Sequence, residues 1–377
     1  MPIYMDRHDL PGVTAKDVAM AHQEDLKIQA QFGCRGLTYW FDEERQIAFC
    51  LIEALEKDSV KRMHDQAHGL IPHQILEVES HVVEAFLGRI KDPEVFDAYD
   101  ASQLRVFNDP AIRVILSINQ KKTELISGEQ ELENFNKYVF SHNAIVQERL
   151  KQCEGREVQY NKDGFLASFT SARKAIIAAM EILKEVGLHN SRTSSKINYQ
   201  IKVGLSAGVP VTDSKDFFGK AVTLAKRLSH LSPVGHIVVS PTLVDFYKQD
   251  LIHLGYKVPV KILNNAEEKF LNQLFDEMER QLGEPQFNLV DLSKYLGVSK
   301  SQLYRKTASL TGLSPSELMK EFRFQHALNL IENQEGNISE IAYQSGFTSP
   351  SYFSKCFLAR FNTLPSNYAY VLAQLAI

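Results

Sequence analysis

Residues 289–312 read LVDLSKYLGVSKSQLYRKTASLTG, and residues 337–362 read NISEIAYQSGFTSPSYFSKCFLARFN. The two stretches share one plan. Each opens with a short amphipathic helix and turns at a glycine (Gly297, Gly346). Each then restarts at a serine cap (Ser299, Ser349) before a second helix that begins with polar and basic residues. This is the helix-turn-helix pattern, whose second helix lies in a DNA major groove. Two copies in one chain can occupy successive groove segments without a partner subunit. In the first copy Leu303, Thr307 and Leu310 fall at i, i+4 and i+7 and face inward. Lys300, Ser301, Gln302, Tyr304 and Arg305 are left on the outer surface, and Arg305 suits a two-pronged contact to guanine. In the second copy Phe353 and Phe357 face the core and Ser349 caps. Pro350 takes the first helical position, and Ser351, Tyr352, Ser354 and Lys355 are presented. Between the copies, Ser314-Pro315-Ser316-Glu317 starts a helix that runs to about Asn333. Used as a rigid spacer, that helix predicts a separation near one turn of DNA, ~34 Å.

Residues 262–377 resemble the AraC/XylS-type DNA-binding domain, most closely over ISEIAYQSGFTSPSYFSKCFLARFNTLPSNY. One departure is Asn362, where that family usually carries glycine. Asparagine tolerates the same left-handed backbone. The resemblance implies base-proximal roles for Ser301, Tyr304 and Arg305, and for Ser351, Ser354 and Lys355. Few of these are strong base readers, so part of the specificity is expected from DNA shape and phosphate contacts.

With 377 residues the chain has room for two or three domains. A net charge of −4 means that DNA affinity must come from a local face, not from bulk charge. Cys34, Cys50, Cys153 and Cys356 are scattered without a CxxC, which argues against a disulfide framework or a four-cysteine zinc site. No apolar run reaches a membrane span and the N-terminus lacks a signal-peptide pattern, so a cytoplasmic location without membrane contact is expected.

The first eighty residues read strand, helix, strand, strand, helix, strand, the order of a ferredoxin-like α+β sandwich. Thr14 caps the first helix and Gly33 ends it. His64 and His68 stand at i, i+4 on the second helix, a spacing at which two imidazoles can share one metal. His8 ends the first strand, His22 lies on the first helix, and Asp6, Asp9 and Glu77 add hard oxygen donors. Such a set suits nickel or zinc. The same histidines also fit a bland reading, as core residues satisfied by hydrogen bonds. Cys50, next to Phe49 in a strand, reads as core. MPIYMDRHDLPGVTAKDVAMAHQEDL, YWFDEE, FCLIEA and MHDQAHGL resemble a small bacterial ferredoxin-like family with nickel-binding members.

The block from Ala111 to Val258 is again α+β, with a polar loop expected from His189. VQYNKDGFLASF, VGLSAG and FGKAVTLAKRLSHLSPVGHIVVS resemble the class III nucleotide cyclase catalytic domain. That resemblance implies a two-metal phosphoryl-transfer site held by two aspartates. Here Ile118 stands at the first aspartate position and Asp163 at the second. Gln159 replaces a base-reading lysine and Thr223 the transition-state asparagine, while Arg227 is retained. The expectation is a degenerate domain used for dimerisation or sensing, with no catalytic residues.

The sequence therefore predicts a multidomain α+β and all-α chain. Residues 1–80 form a ferredoxin-like, metal-binding sensor, 81–109 a linker, 110–258 a cyclase-like dimerisation domain, and 259–377 the double helix-turn-helix. The predicted function is a one-component transcription regulator. Its DNA-contacting residues are Ser299, Lys300, Ser301, Tyr304 and Arg305, with Ser349, Ser351, Tyr352, Ser354 and Lys355. Its metal ligands are His8, His22, His64 and His68, for nickel or zinc. Its partners are promoter DNA, a second copy through the cyclase-like domain, and RNA polymerase. The alternative is a cyclase-like or other metal-dependent phosphoryl-transfer enzyme.

Overall fold

A computed structural model describes residues 1–93, 98–99, 104–122, 129–161, 164–192, 199–247 and 260–375. The first sheet comprises β1 (Ile3–Asp9), β2 (Cys34–Asp42), β3 (Ile47–Ala54) and β4 (Gln74–Val78), in the order β2-β3-β1-β4. All its described pairings are antiparallel. α1 (Ala15–Ile28) and α2 (Lys57–Ala67) connect the strands. α1 starts where Thr14 and Asp17 cap each other reciprocally, satisfying two otherwise orphaned N–H groups. It ends in a short 3-10 turn closed by Gly33 in the left-handed region. This is the expected ferredoxin-like order.

The strand side chains alternate between two cores. Tyr4, Tyr39, Phe41, Cys50 and Ile52 join Val18, Val60 and Met63 of α1 and α2. Met5, Trp40, Phe49 and Leu51 point to the opposite face. That face is covered by α3 (Ser80–Leu87) and by the central sheet: Val83, Phe86, Ile115, Leu166 and Phe218 share its core. The described part of 81–109, expected as a linker, includes most of this packed helix. Beyond α3 lie β5 (Ala98–Tyr99) and β6 (Arg105–Val106), which pair with each other. Phe107 stacks on Tyr39 at 4.1 Å. The Arg89 guanidinium lies 4.3 Å from the Trp40 ring centre and donates to Asp109, to Thr38 and to the Tyr39 carbonyl.

The central sheet contains β7 (Arg113–Lys122), β8 (Arg156–Asn161), β9 (Gly164–Phe169), β10 (Tyr199–Gly208), β11 (Ile237–Val239) and β12 (Val260–Ile262). Their order is β12-β11-β10-β7-β9-β8. α4 (Glu129–Gln152) and α5 (Ala172–Arg192) cover one face, where Val146, Ile176, Ala179 and Ile182 meet Leu116 and Val203. α5 continues through His189 to Arg192, where a polar loop was expected. α6 (Gly219–Leu231) crosses the other face. It comes so close that a Cβ on Gly204 would sit 2.3 Å from the Ala225 carbonyl oxygen. α7 (Pro241–Phe246) follows β11.

The rest is helical: α8 (Asn265–Arg280), α9 (Leu289–Tyr295), α10 (Lys300–Thr311), α11 (Pro315–Glu332), α12 (Ile338–Gln344), α13 (Pro350–Phe361) and α14 (Pro365–Leu375). Leu271, Leu274 and Phe275 of α8 share one core with Leu224 and Leu228 of α6 and with Leu292, Leu303 and Leu310 of the first device. Phe324, Phe347, Phe353 and Phe357 form a second core around the second device. Among the described residues, no helix is long and apolar enough to cross a membrane.

Candidate nucleic-acid interface and metal centre

Each helix-turn-helix is built by local chemistry. In the first, Asn288 caps α9, Gly297 turns with φ +63°, and Ser299 accepts from the Gln302 amide at 3.2 Å. Gln302 closes the capping box by accepting from the Ser299 amide at 3.0 Å. α10 then buries Leu303, Thr307 and Leu310 and exposes Lys300, Ser301, Gln302, Tyr304 and Arg305. In the second, Asn337 and Glu340 box the start of α12 and Gly346 turns with φ +76°. Ser349 accepts from the Tyr352 amide at 3.2 Å. α13 buries Phe353 and Phe357 and exposes Ser351, Tyr352 and Lys355, while Ser354 is half-buried. Asn362 ends α13 with φ +56° in the left-handed conformation. Arg360 on α13 pairs with Glu321 on α11 at 2.5 Å, fixing the second device to the helix that joins it to the first.

The arrangement can place two exposed, capped helix starts in adjacent grooves. The N-terminal end of each helix also carries a partial positive charge toward the phosphates. Residues 292–369 match a family model described as a helix-turn-helix domain. This segment is an AraC-type helix-turn-helix domain.

The N-terminal sheet holds a second cluster, between its helix-facing side and α2. Asp6, His8, Cys50 and His64 are all buried, and their donor atoms lie within 4.8 Å of one another. His64 Nε2 stands 2.8 Å from Asp6 Oδ2. His64 Nδ1 stands 3.1 Å from Asp25 Oδ1, and His68 Nε2 lies 3.2 Å from that same oxygen. The Cys50 amide donates to Asp6 at 3.0 Å. His8 Nε2 approaches Asp6 Oδ1 to 3.2 Å, but misaligned, so this buried nitrogen makes no hydrogen bond.

Burial alone would lower the His64 pKa, but the carboxylates of Asp6 and Asp25 outweigh it and raise it to about 10. Burial would raise the Asp6 pKa, yet the charges of His8 and His64 hold it below the usual carboxylate range. Burial, then the Asp6 charge, pushes the Cys50 thiol well up. Without metal the cluster balances its carboxylates with a proton on His64, which faces one at each ring nitrogen. A divalent cation supplies the same charge and uses the idle His8 nitrogen. The donor set therefore fits a metal. Asp6, His8, Cys50 and His64 would hold it, with Asp25 orienting His64 through Nδ1.

Residues 4–78 match the family model for nickel responsive protein SCO4226-like. Among curated relatives, histidine kinase P4 of Formosa agariphila is 40% identical over 106 residues, 28% of this chain and 8% of that protein. The Msm operon regulatory protein of Streptococcus mutans is 24% identical over 200 residues, 52% of this chain and 63% of the relative. The chain thus spans less than two thirds of either. A solved adenylate/guanylate cyclase/hydrolase from Silicibacter pomeroyi is 24% identical, covering 38% of this chain and 83% of that one, with a TM-score of 0.31.

The structure brings three of the four expected histidine ligands together and sets one apart. His8 and His64 share the first donor group and His68 joins His64 and Asp25. His22 packs on Tyr39 instead, with Asp92 at 3.8 Å. Its helix contributes Asp25, three positions on, which the sequence reading missed. Asp9 is exposed and paired with Arg7, and Glu77 is exposed. Cys50, read as core, faces the ligands.

At the cyclase-like positions, Ile118 is buried and lines a cavity of about 260 Å³ with Gln159. Asp163 lies outside the described residues. Thr223 is exposed. Arg227 reaches the helical C-terminal part, donating to Asn272 at 3.0 Å, Asp276 at 2.5 Å and Glu279 at 3.0 Å, all on α8. The guanidinium retained from the cyclase-like pattern thus joins two parts of the chain.

Proposed function

We propose that the chain is a sequence-specific, DNA-binding transcription regulator whose N-terminal part responds to a divalent metal, nickel or zinc. In this reading residues 259–377 bind promoter DNA. Residues 110–258 dimerise or sense and pair one copy with another. Residues 1–80 carry the metal cluster, and RNA polymerase is the downstream partner. One observation carries it: two capped recognition helices in tandem, whose reading residues are exposed except for the half-buried Ser354. Ser301, Tyr304 and Arg305, and Ser351, Ser354 and Lys355, face the bases, while Ser299, Lys300, Ser349 and Tyr352 lie at the two helix starts beside the backbone. A metal can act only by favouring one of two domain arrangements over the other.

The test starts from DNA fragments selected out of genomic DNA on the whole protein, followed by footprinting and anisotropy titration. Protection should fall on two groove segments about one helical turn apart. Arg305→Ala should weaken binding roughly 5- to 100-fold and relax specificity at one position. Lys355→Ala should weaken it too. Full-strength binding by both variants would sink the assignment. A cyclase reading is disfavoured by Ile118 and by the engagement of Arg227; turnover of ATP or GTP with magnesium would restore it.

A further inference from the structure

The two helix-turn-helix devices touch each other as well as sharing α11. The loop between α8 and α9 belongs with the first device, because Leu271, Leu274 and Phe275 of α8 share a core with Leu292, Leu303 and Leu310. That loop is a run of tight turns. The Glu284 amide donates to the Gln281 carbonyl, and the Phe287 amide to the Glu284 carbonyl. Against it lies the turn of the second device. A Cβ on Gly346 would sit 2.3 Å from the Leu282 carbonyl oxygen, and one on Gly283 would sit 3.3 Å from the Gln344 carbonyl oxygen. Two glycines thus let the backbones of the two devices meet directly.

Arg323 of α11 stands at this meeting point, half-buried. It donates to the Glu284 carbonyl at 2.9 Å, across 39 positions. Its Nε and Cζ would come 2.9 and 3.3 Å from a Cβ on Gly346, so the guanidinium rests on that turn. Burial lowers its pKa, and the Tyr352 phenol at the start of α13 works against that. One side chain of the spacer therefore touches both the loop of the first device and the turn that aims the second recognition helix. A spacer helix alone leaves the devices free to rotate about its axis; a contact off that axis removes the freedom.

We propose that Arg323 is a positioning residue that fixes which spacing between two DNA half-sites the chain accepts. One base pair more or less moves a half-site by about 3.4 Å and about 35° around the duplex. With the devices locked, the second recognition helix cannot follow. With Arg323 removed, the Gly346 turn loses its support and the second device rotates to follow the displaced half-site. This role rests on residues 259–377 binding DNA as read above, and adds what sets the geometry of their operator.

The test uses the full-length protein and duplexes carrying its two footprinted segments, with the gap left as found, shortened by one base pair, or lengthened by one or two. Anisotropy titration gives the affinity at each gap. Wild type should lose roughly tenfold or more for a change of one base pair. Arg323→Ala should bind all four duplexes within about threefold of one another. Arg323→Gln, nearer in size, takes its place if the alanine variant is unfolded at the assay temperature. The salt dependence of binding at the original gap should match wild type. A slope lower by about 1 would make Arg323 a phosphate contact and overturn the positioning role. A sharp wild-type profile that the variant keeps, including an equal loss at every gap, would overturn the proposal alone. A wild type indifferent to the gap would overturn it together with the two-groove reading.

Discussion

Replacing Arg227 by alanine should uncouple the DNA-binding helices from the body they rest on. Arg227 is 10% exposed at its side chain, whereas its partners Asp276 and Glu279 are 58% and 52% exposed. The two ion pairs are therefore screened and contribute about 0.5 kcal/mol each. The bond to the Asn272 amide has a charged donor in a drier setting and contributes about 1.5 kcal/mol. Contact with the Phe275 ring, 5.5 Å away, adds about 0.5 kcal/mol. Together the loss is about 3 kcal/mol, localised at the α6–α8 junction. The chain has one tryptophan, Trp40, buried between the N-terminal and central sheets, so its fluorescence follows that body. Far-ultraviolet circular dichroism follows the helices more evenly. In urea the variant should lose part of its helical signal at a midpoint about 1–2 M below wild type, for m-values near 2 kcal/mol per M. The Trp40 transition should move much less. Coincident transitions at the wild-type midpoint would refute the clamp, and Arg227→Lys should fall in between.

Nickel competition titrations of the full chain should rank three variants. His64→Ala should lose high-affinity binding, Asp25→Asn should weaken it roughly 10- to 100-fold through its orienting contact, and His22→Ala should change nothing; equal affinity in all three would dismantle the cluster. Gly346→Ala places a Cβ 2.3 Å from the Leu282 carbonyl oxygen at a φ of +76°. It should lower the stability of the C-terminal helices by about 2 kcal/mol or more, read from their thermal melt. His142 is fully buried, and burial, only partly offset by Asn143, holds its pKa down to about 4 against the usual 6.5. As pH falls from 6.5 towards 4 the unfolded chain gains a proton that the folded chain refuses. Stability should therefore decline across that window, by up to about 3 kcal/mol. His142→Gln should flatten this part of the pH–stability profile, and an unchanged slope would contradict the assignment.

What could be read from the sequence was what neighbours along the chain decide. Ser299, Ser314 and Ser349 cap helices because a short side-chain oxygen meets an amide two or three residues away. The strand order of the first eighty residues and the inward face of each recognition helix followed from periodicity. The metal cluster was only half legible. His64 and His68 declare themselves by spacing, but Asp6 and Cys50 meet only because β1 pairs with β3, and Asp25 reaches His64 across 39 positions. Cys50 sits between Phe49 and Leu51, so a strand buried on both faces hid which side it served. The partners of Arg227 were hidden for a related reason: its motif gave its place on a helix, but Asn272, Asp276 and Glu279 lie 45 to 52 positions along the chain.

The doubly buried N-terminal sheet has a practical consequence. Its outer face presents Met5, Trp40, Phe49 and Leu51, all at most 1% exposed because α3 and the central sheet lie on them. A fragment cut near residue 80 would uncover these four side chains as one contiguous apolar patch, the kind that drives aggregation. Poor solubility of such a fragment would reflect the missing cover, not a defect in the metal cluster on the other side. The smallest faithful specimen of the candidate metal cluster is therefore one that keeps the central sheet attached.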